Sequence, residues 1–579
     1  MNYSLIVDLQ IAQEIAIKLL TEDVLAIDTE TTGLDPYNSK IRLLQISNKE
    51  HSYLFDCFVL KDLSFLKDIF ENQKPVKIFH NAKFDIKFLK VHFGFNFENI
   101  FDTMLASQII SSGDHSGGHS LADVTKRYLN ITLDKSSQLS DWSKELTEKQ
   151  LEYASKDVLT LHPLREKLRN ILIEQKLVKV AKLEFDCCIA VADMELNGCY
   201  LDREQWMKIV YELEKKHSKL SNEIQSELSQ SSKQISLFDG FNSININSTQ
   251  QLAEALHNMG IKVDDTSEAT LLHHKNSHPI IEKILEYRGL QKSISSYGAN
   301  VLEYINKKTG RIHADFSQLR TDTGRFSCSN PNLQQIPATA EYRACFRAEK
   351  GNKLITADYS QVELRILAEL SQDREFIKAF ESGEDLHKAT ASSMFNVPLS
   401  EVNKDMRSQA KSINFGLAYG RGASSLAEQI GTSTEKAKEL INKYFSVYDG
   451  IKRWLDDAAK YALKHSYSRT LSNRIRRYTF NPHNRGEIAS IERQGKNSPI
   501  QGTSADITKQ ALVLINSSLK NTNIRLINTV HDEIILEAPE EKAEYAAQLL
   551  ESKMIEAARV FLKKVPIVVD VSIADFWTK

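Results

Sequence analysis

Apolar positions recur along this chain in two rhythms. Up to about residue 169, short apolar runs such as "VLAID" (24–28), "RLLQIS" (42–47) and "VKIFH" (76–80) alternate with stretches such as "DIKFLKVHF" (85–93), where apolar residues return every three or four positions. The short runs read as strands and the longer periodicity as helices, so this part is an α/β domain. From Arg203 a charged helical pattern, "REQWMKIVYELEKKHSKLSNEIQSEL", leads into the Ser- and Gln-rich "SQSSKQISLFDGFNSININS", which reads as an exposed, mobile tip. Helical periodicity resumes at Thr249 and dominates thereafter, broken by proline-containing loops and three β-like runs, "KLITA" (353–357), "LINTV" (526–530) and "IILEA" (534–538). There is no internal repeat.

At 579 residues the chain exceeds one core, and roughly three or four domains follow from about 150 residues each. Its 74 Lys and Arg against 76 Asp and Glu exclude an argument from bulk basicity, so any nucleic-acid partner must be held by local patches. Six cysteines without a CxxC spacing, two of them the adjacent Cys187 and Cys188, read as reduced thiols of an intracellular protein with no structural zinc. No basic, apolar leader opens the sequence and no run is long enough to span a bilayer, which predicts a soluble protein without a membrane partner.

Carboxylates at strand ends change the picture. In "VLAIDTETTGL", Asp28 and Glu30 stand two apart at the end of a strand, which puts both side chains on one face. "HNAKFD" ends in Asp85, and in "TEKQLEYASKDVLTL" Thr147 and Gln150 form a capping box that starts a helix carrying Tyr153 and Asp157 on one face. An isolated acid after a strand more often caps a turn than catalyses. Four carboxylates and a tyrosine together, however, are what two-metal phosphodiester hydrolysis needs. Two Mg²⁺ or Mn²⁺ ions about 3.5–4 Å apart stabilise the attacking and leaving oxygens, with Tyr153 orienting the water. These segments, in this order, resemble the DEDDy class of 3'-5' exonuclease domains. The resemblance implies a ribonuclease-H-like fold and makes Asp28, Glu30, Asp85 and Asp157 the metal ligands. In the neighbouring "DHSGGHS", His115 and His119 are four apart, but the intervening glycines argue against a helical metal pair and for a mobile loop.

A second constellation lies further on. "KLITA" delivers Asp358 to the end of a strand, and "LINTVHDEIILEA" sets His531 and Asp532 at a tight hairpin, a place for an acid only at a surface or a metal. One carboxylate on each of two neighbouring strands can clamp two Mg²⁺ ions, which would activate a primer 3'-hydroxyl and neutralise a pyrophosphate leaving group. "RSQAKSINFGLAYG" places Arg407, Lys411, Phe415 and Tyr419 four apart, a helical stripe roughly 18 Å long with cations at one end and aromatic rings at the other. Taken singly these are snorkelling cations and core aromatics. Jointly they fit a nucleoside triphosphate, with cations on the phosphates, one ring on base and sugar, and a second where a template base waits.

The segments "DYSQVELRILAELS", "RSQAKSINFGLAYG" and "VHDE", with "TDTGRFSCSNPNLQQIP", "DLHKATASSMF" and "NSPIQGTSADI", resemble the family A DNA polymerases from Glu184 to Lys579. The resemblance implies a multidomain α/β plus α+β protein. The exonuclease domain spans 1–175 and a right-hand polymerase domain 176–579, with thumb about 203–300, fingers about 372–504, and palm 176–202, 301–371 and 505–579. It adds Glu533 to the catalytic carboxylates and puts His387 at the triphosphate. Glu363 becomes a steric gate beneath the incoming sugar, paired with the Tyr419 hydroxyl. Phe415 in place of a tyrosine implies poor use of dideoxynucleotides. Minor-groove acceptors are common to every base pair, so a sequence-independent enzyme needs donors there. Arg325, Asn332, Asn497 and Gln501 supply them, and Gln334, Arg493 and His531 join the DNA contacts.

In "SYSRTLSNRIRRY" a glycine and an arginine run common in the family are altered, which leaves the contacts of Arg474, Arg476 and Arg477 open. The chain starts at the exonuclease, so primer removal by a 5' nuclease is expected to fall to another protein. The implied partners are primer–template DNA and dNTPs, with two Mg²⁺ ions per site, a monomeric chain and replication accessory proteins. The implied location is the cytoplasm at the nucleoid, for a bacterial or phage enzyme, or an organelle matrix for a plastid-type one. A DNA-binding scaffold with dead sites would have lost metal carboxylates, and none of the six is missing. An RNA polymerase of related shape would lack the Glu363 gate and the proofreading set.

Overall fold

The computed structural model describes residues 2–133, 140–231, 244–418 and 420–578. Most of the Ser- and Gln-rich tip, 232–243, and Tyr419 lie outside the described residues.

The first unit is a six-stranded mixed sheet of β1 (Tyr3–Ile6), β2 (Val24–Thr31), β3 (Ile41–Ser47), β4 (Ser52–Asp56), β5 (Val76–Phe79) and β6 (Ile100–Asp102), in the order β1-β4-β3-β2-β5-β6. β3 runs antiparallel to β2 and β4, while β1–β4, β2–β5 and β5–β6 are parallel. The helices Ala82–Phe93 and Glu148–Glu174 bring chemistry to this sheet. The capping box at Thr147 is formed: Gln150 N–H donates to Thr147 Oγ1 at 3.3 Å, and Thr147 N–H to Gln150 Oε1 at 3.0 Å.

The second unit is built on an antiparallel four-stranded sheet in the order Arg525–Val530, Glu533–Pro539, Asn352–Tyr359, Val569–Ala574. Helices surround it, among them the 34-residue Arg485–Ser518. A smaller apolar cluster joins Arg203–Ser231 to Pro279–Tyr297 through Ile224, Leu228, Ile281 and Ile284.

The helix Val178–Asn197 serves both units. Ala181, Phe185, Cys188 and Ala192 belong to the first core, and Cys187, Ala190, Val191 and Met194 to the second, as helical spacing on opposite faces requires. All six cysteines are free and buried. On the same helix, fully buried Glu184 accepts from Lys509 Nζ at 2.5 Å, Gln318 Nε2 at 2.7 Å and the Arg474 guanidinium, which also holds Asp506 at 2.6 Å. The altered arginine segment makes contacts within the protein. Arg474 is a core ion-pair residue, Arg476 binds Asp322 at 3.0 Å, and Arg477 binds the Gln175 side chain at 2.7 Å. Asn473 occupies the turn at φ +73°, a left-handed conformation that asparagine tolerates better than most residues with a Cβ.

Candidate active sites

In the first unit, Asp28 and Glu30 from β2, Asp85 from Ala82–Phe93, and Tyr153 and Asp157 from Glu148–Glu174 line one cavity of about 570 Å³. All five residues expected at this site are therefore brought together. Burial pushes the Asp28 and Glu30 carboxyls well above the usual range, and the neighbouring carboxylates push them further. Burial likewise raises Asp85 to about 7, against a 2.6 Å hydrogen bond from Thr29 Oγ1, and Asp157 to about 6. The Tyr153 hydroxyl is raised by burial and by Asp157. Among the described residues no three His, Cys, Asp or Glu side chains stand close enough to form a metal cage by themselves. The four acids share a cavity and repel, and a hard divalent cation relieves such a set.

Sequence reasoning did not find His80, Phe84, Met104 and Trp142, which line the same cavity. His119 lines it too. "DHSGGHS" is a loop, as its glycines require, but it is tied down: Ser107 Oγ lies 3.0 Å from His119 Nδ1, and His80 Nε2 3.0 Å from the His119 carbonyl oxygen.

In the second unit, Asp358 is the penultimate residue of the strand Asn352–Tyr359, and His531 and Asp532 form the two-residue turn between Arg525–Val530 and Glu533–Pro539, with His531 at φ +58°. Tyr359 N–H reaches the Asp532 carbonyl oxygen at 3.4 Å, so the turn sits beside the end of the neighbouring strand. Asp358, Asp532, His531, Glu363, Arg325, Gln334 and Phe415 line one cavity of about 380 Å³. Phe326, Gln361 and Thr508 complete it without having been foreseen. Gln361 carries a sign of its own, φ +55° and a buried Oε1 with no hydrogen-bond partner among the described residues.

Other expected residues stand apart from this cavity. Glu533 pairs across the sheet with Asp358, on the same face, and does not line the cavity. Arg343 donates to both its oxygens at 3.2 Å and Trp577 Nε1 donates to it at 2.5 Å, which holds its carboxylate at the strand end next to Asp532. His387 is 4% exposed, lies within 3.1 Å of Asn414 Nδ2, and falls to about 4 through burial, with Arg407 and Lys411 lowering it further. Arg407 is exposed and paired with Asp385 at 2.7 Å, and Lys411 is exposed, both on the helix Lys404–Ala418 that presents Phe415. Arg493, Asn497 and Gln501 follow one another at four-residue steps along Arg485–Ser518 toward cavity-lining Ala505. Asn332 Oδ1 accepts from Gln334 N–H at 3.1 Å, capping a short turn. Glu363 is bound by Arg325; its expected partner Tyr419 lies outside the described residues.

Two cavities lined by clustered acids, one on a mixed sheet and one on an antiparallel sheet, offer the oxygen donors that metal-assisted phosphoryl-transfer enzymes use. The family model "DNA polymerase family A" matches residues 214–579, and that of a 3'-5' exonuclease matches 3–173. The DNA polymerase I of Aquifex aeolicus is 32% identical, with 97% of each chain covered. That of Borreliella burgdorferi is 34% identical over 92% of this chain and 60% of its own length, so the chain spans less than two thirds of this longer relative. Among solved structures, the polymerase domain of Pol1 from M. smegmatis, in complex with DNA primer–template and dNTP, superposes with a TM-score of 0.84 at 26% identity, covering 99% of both chains. The chain belongs to DNA polymerase family A and carries a 3'-5' exonuclease domain ahead of the polymerase domain. Both are metal-dependent families. Among the described residues no helix is long and apolar enough to cross a membrane.

Proposed function

We propose that this chain extends a DNA primer at the cavity floored by Asp358 and Asp532 and trims mispaired 3' ends at the cavity of Asp28, Glu30, Asp85 and Asp157. The observation that carries the reading is the convergence of sequence-distant acids into two separate cavities. Mg²⁺, or Mn²⁺ in its place, held by Asp358 and Asp532 in one cavity and by the four acids in the other, would supply Lewis acidity and charge neutralisation when bound.

The chain's own residues do the rest. Phe415 offers a ring to the incoming base, Arg407 and Lys411, exposed on the same helix, would meet the phosphates, and Glu363, which lines the cavity, would stand where a ribose 2'-hydroxyl projects. Arg493, Asn497, Gln501, Gln334, Arg325 and His531 form a donor-rich track for the primer–template minor groove, whose acceptors are shared by all base pairs. Asn332 supports that track by capping the turn that holds Gln334. Tyr153 orients the water for excision. The division is an exonuclease domain at 1–175 and a polymerase domain at 176–579, its thumb, fingers and palm bounded as the family pattern implies. We place the chain with bacterial-type replication or repair, acting as a monomer on primer–template DNA.

The test is a pair of variants in one chain. Asp532→Ala is expected to abolish primer extension and spare 3' degradation, and Asp28→Ala to do the reverse. Loss of both activities in either variant would show that the two cavities are not separate sites.

A further inference from the structure

Asp102 ends β6 as Asp28 lies near the end of β2, an acid after an apolar run, yet it does not line the exonuclease cavity. It is fully buried. Its carboxylate accepts four backbone N–H groups: Oδ1 from Asn81 at 3.2 Å, Met104 at 2.8 Å and Leu105 at 3.1 Å, and Oδ2 from Ala82 at 2.8 Å. The last two on Oδ1 are the ordinary N-cap of its own helix, Thr103–Ile110. The other two belong to a different helix, Ala82–Phe93, which carries Asp85. That helix has no cap of its own, because Asn81 sits at φ +68° and its side chain makes no capping bond. Asp102 therefore caps it from the neighbouring strand. Asp85 follows in the first turn, and its carboxylate is met from the other side by Thr29 of β2. With the sheet order β2-β5-β6, the start of the Asp85 helix is held from both strands that flank β5.

We infer that Asp102 is a positioning residue of the exonuclease site, fixing the Asp85 carboxylate by capping its helix in trans. The inference rests on the proposed excision site, but its first readout does not. In Asp102→Asn, an amide oxygen placed where Asn81, Met104 and Leu105 converge puts the amide NH₂ against the Ala82 N–H, donor facing donor. The substitution thus keeps the cap on Thr103–Ile110 and releases the shorter of the two bonds that cap Ala82–Phe93, the one from Ala82.

Hydrogen exchange on the full chain is expected to rise at least tenfold in peptides covering 80–85 and to stay unchanged in those covering 102–107. With Mg²⁺, kcat for trimming a single-stranded oligonucleotide should fall about 10- to 100-fold at unchanged KM, as for lost supports of metal ligands, while primer extension stays at its wild-type rate. Raised exchange throughout the exonuclease domain would make Asp102 a general fold residue and overturn the assignment. So would unaltered exchange at 80–85, or unaltered kcat despite raised exchange. Failure of the excision reading itself would show separately, as wild-type protein that degrades no 3' end.

Discussion

Arg325 donates to Glu363 within the polymerase cavity, so that a residue proposed for the primer–template minor groove and one proposed for the incoming sugar neutralise each other in the protein alone. Glu363 has 9% of its side chain exposed and Arg325 34%, so the arginine is the partner open to an incoming acceptor. DNA supplying acceptors to Arg325 would draw it from the pair and leave the Glu363 carboxylate in place beneath the nucleotide.

Two substitutions separate bulk from charge. Glu363→Ala removes the obstruction and should lower discrimination against ribonucleotides by roughly 10- to 200-fold, the scale of a steric contact in a fitted pocket. Glu363→Gln keeps the bulk and loses the ion pair, so its discrimination should stay near wild type. Single-nucleotide insertion kinetics with matched dNTP and rNTP decide it, and equal discrimination in wild type and Glu363→Ala would remove the gate.

Phe415 brings a ring to the cavity but no hydroxyl. A dideoxynucleotide lacks its 3'-hydroxyl, and nothing on Phe415 replaces the lost hydrogen bond. Phe415→Tyr should therefore improve dideoxynucleotide use relative to dNTP by about tenfold, the worth of one good hydrogen bond. An unchanged ratio in competitive primer extension would count against this placement of the ring.

How much of this was legible in the sequence depends on which interactions are local. Asp28 with Glu30, Tyr153 with Asp157, and the Thr147 capping box follow from strand and helix periods, and the "HD" turn from its flanking apolar runs; each is fixed within about five residues. Residues whose surroundings come from distant segments were less legible. Glu533 sits next to Asp532 in sequence and was grouped with it, yet its carboxylate is held by Arg343 and Trp577, 190 and 44 residues away. The burial of Arg474 against Glu184, 290 residues away, has no local sign either. Asp102 did have one, an acid after a short apolar run, but nothing near it in sequence reveals that it caps a helix starting at Ala82.

His387 leads to a pH prediction. Its buried ring has a folded value lowered to about 4 from an ordinary 6.5, so the unfolded chain binds the proton more tightly. The stability linked to this group is complete above 6.5 and declines as pH falls from there toward 4. Between pH 7 and pH 5 the loss amounts to about 2 kcal/mol. Thermal melts of wild type and His387→Gln at the two pH values should show a smaller acid-induced drop in the variant. An identical drop would mean that the His387 ring takes up its proton equally well in the folded and the unfolded chain.

Glu195 links the two domains and makes a prediction about their cooperation. It is 3% exposed and accepts from Lys83 at 2.7 Å and Lys87 at 2.6 Å, which flank Asp85 on its helix, and from the Phe316 N–H at 2.7 Å. Phe316 lies on a strand paired with Ser327–Ser329, directly after Arg325 and Phe326 of the polymerase cavity. One carboxylate therefore sets the helix of a proposed exonuclease ligand against the strand pair beside the polymerase cavity. Glu195→Gln leaves the cavity-lining groups of both sites in place and weakens only that registration. Trimming of a single strand and extension of a matched primer should remain within about twofold of wild type, while excision of a mispaired terminus from duplex DNA falls roughly 2- to 30-fold, the range of couplings carried through such networks. Parallel loss of single-strand trimming and mismatch excision would instead mark Glu195 as a support of the exonuclease fold alone.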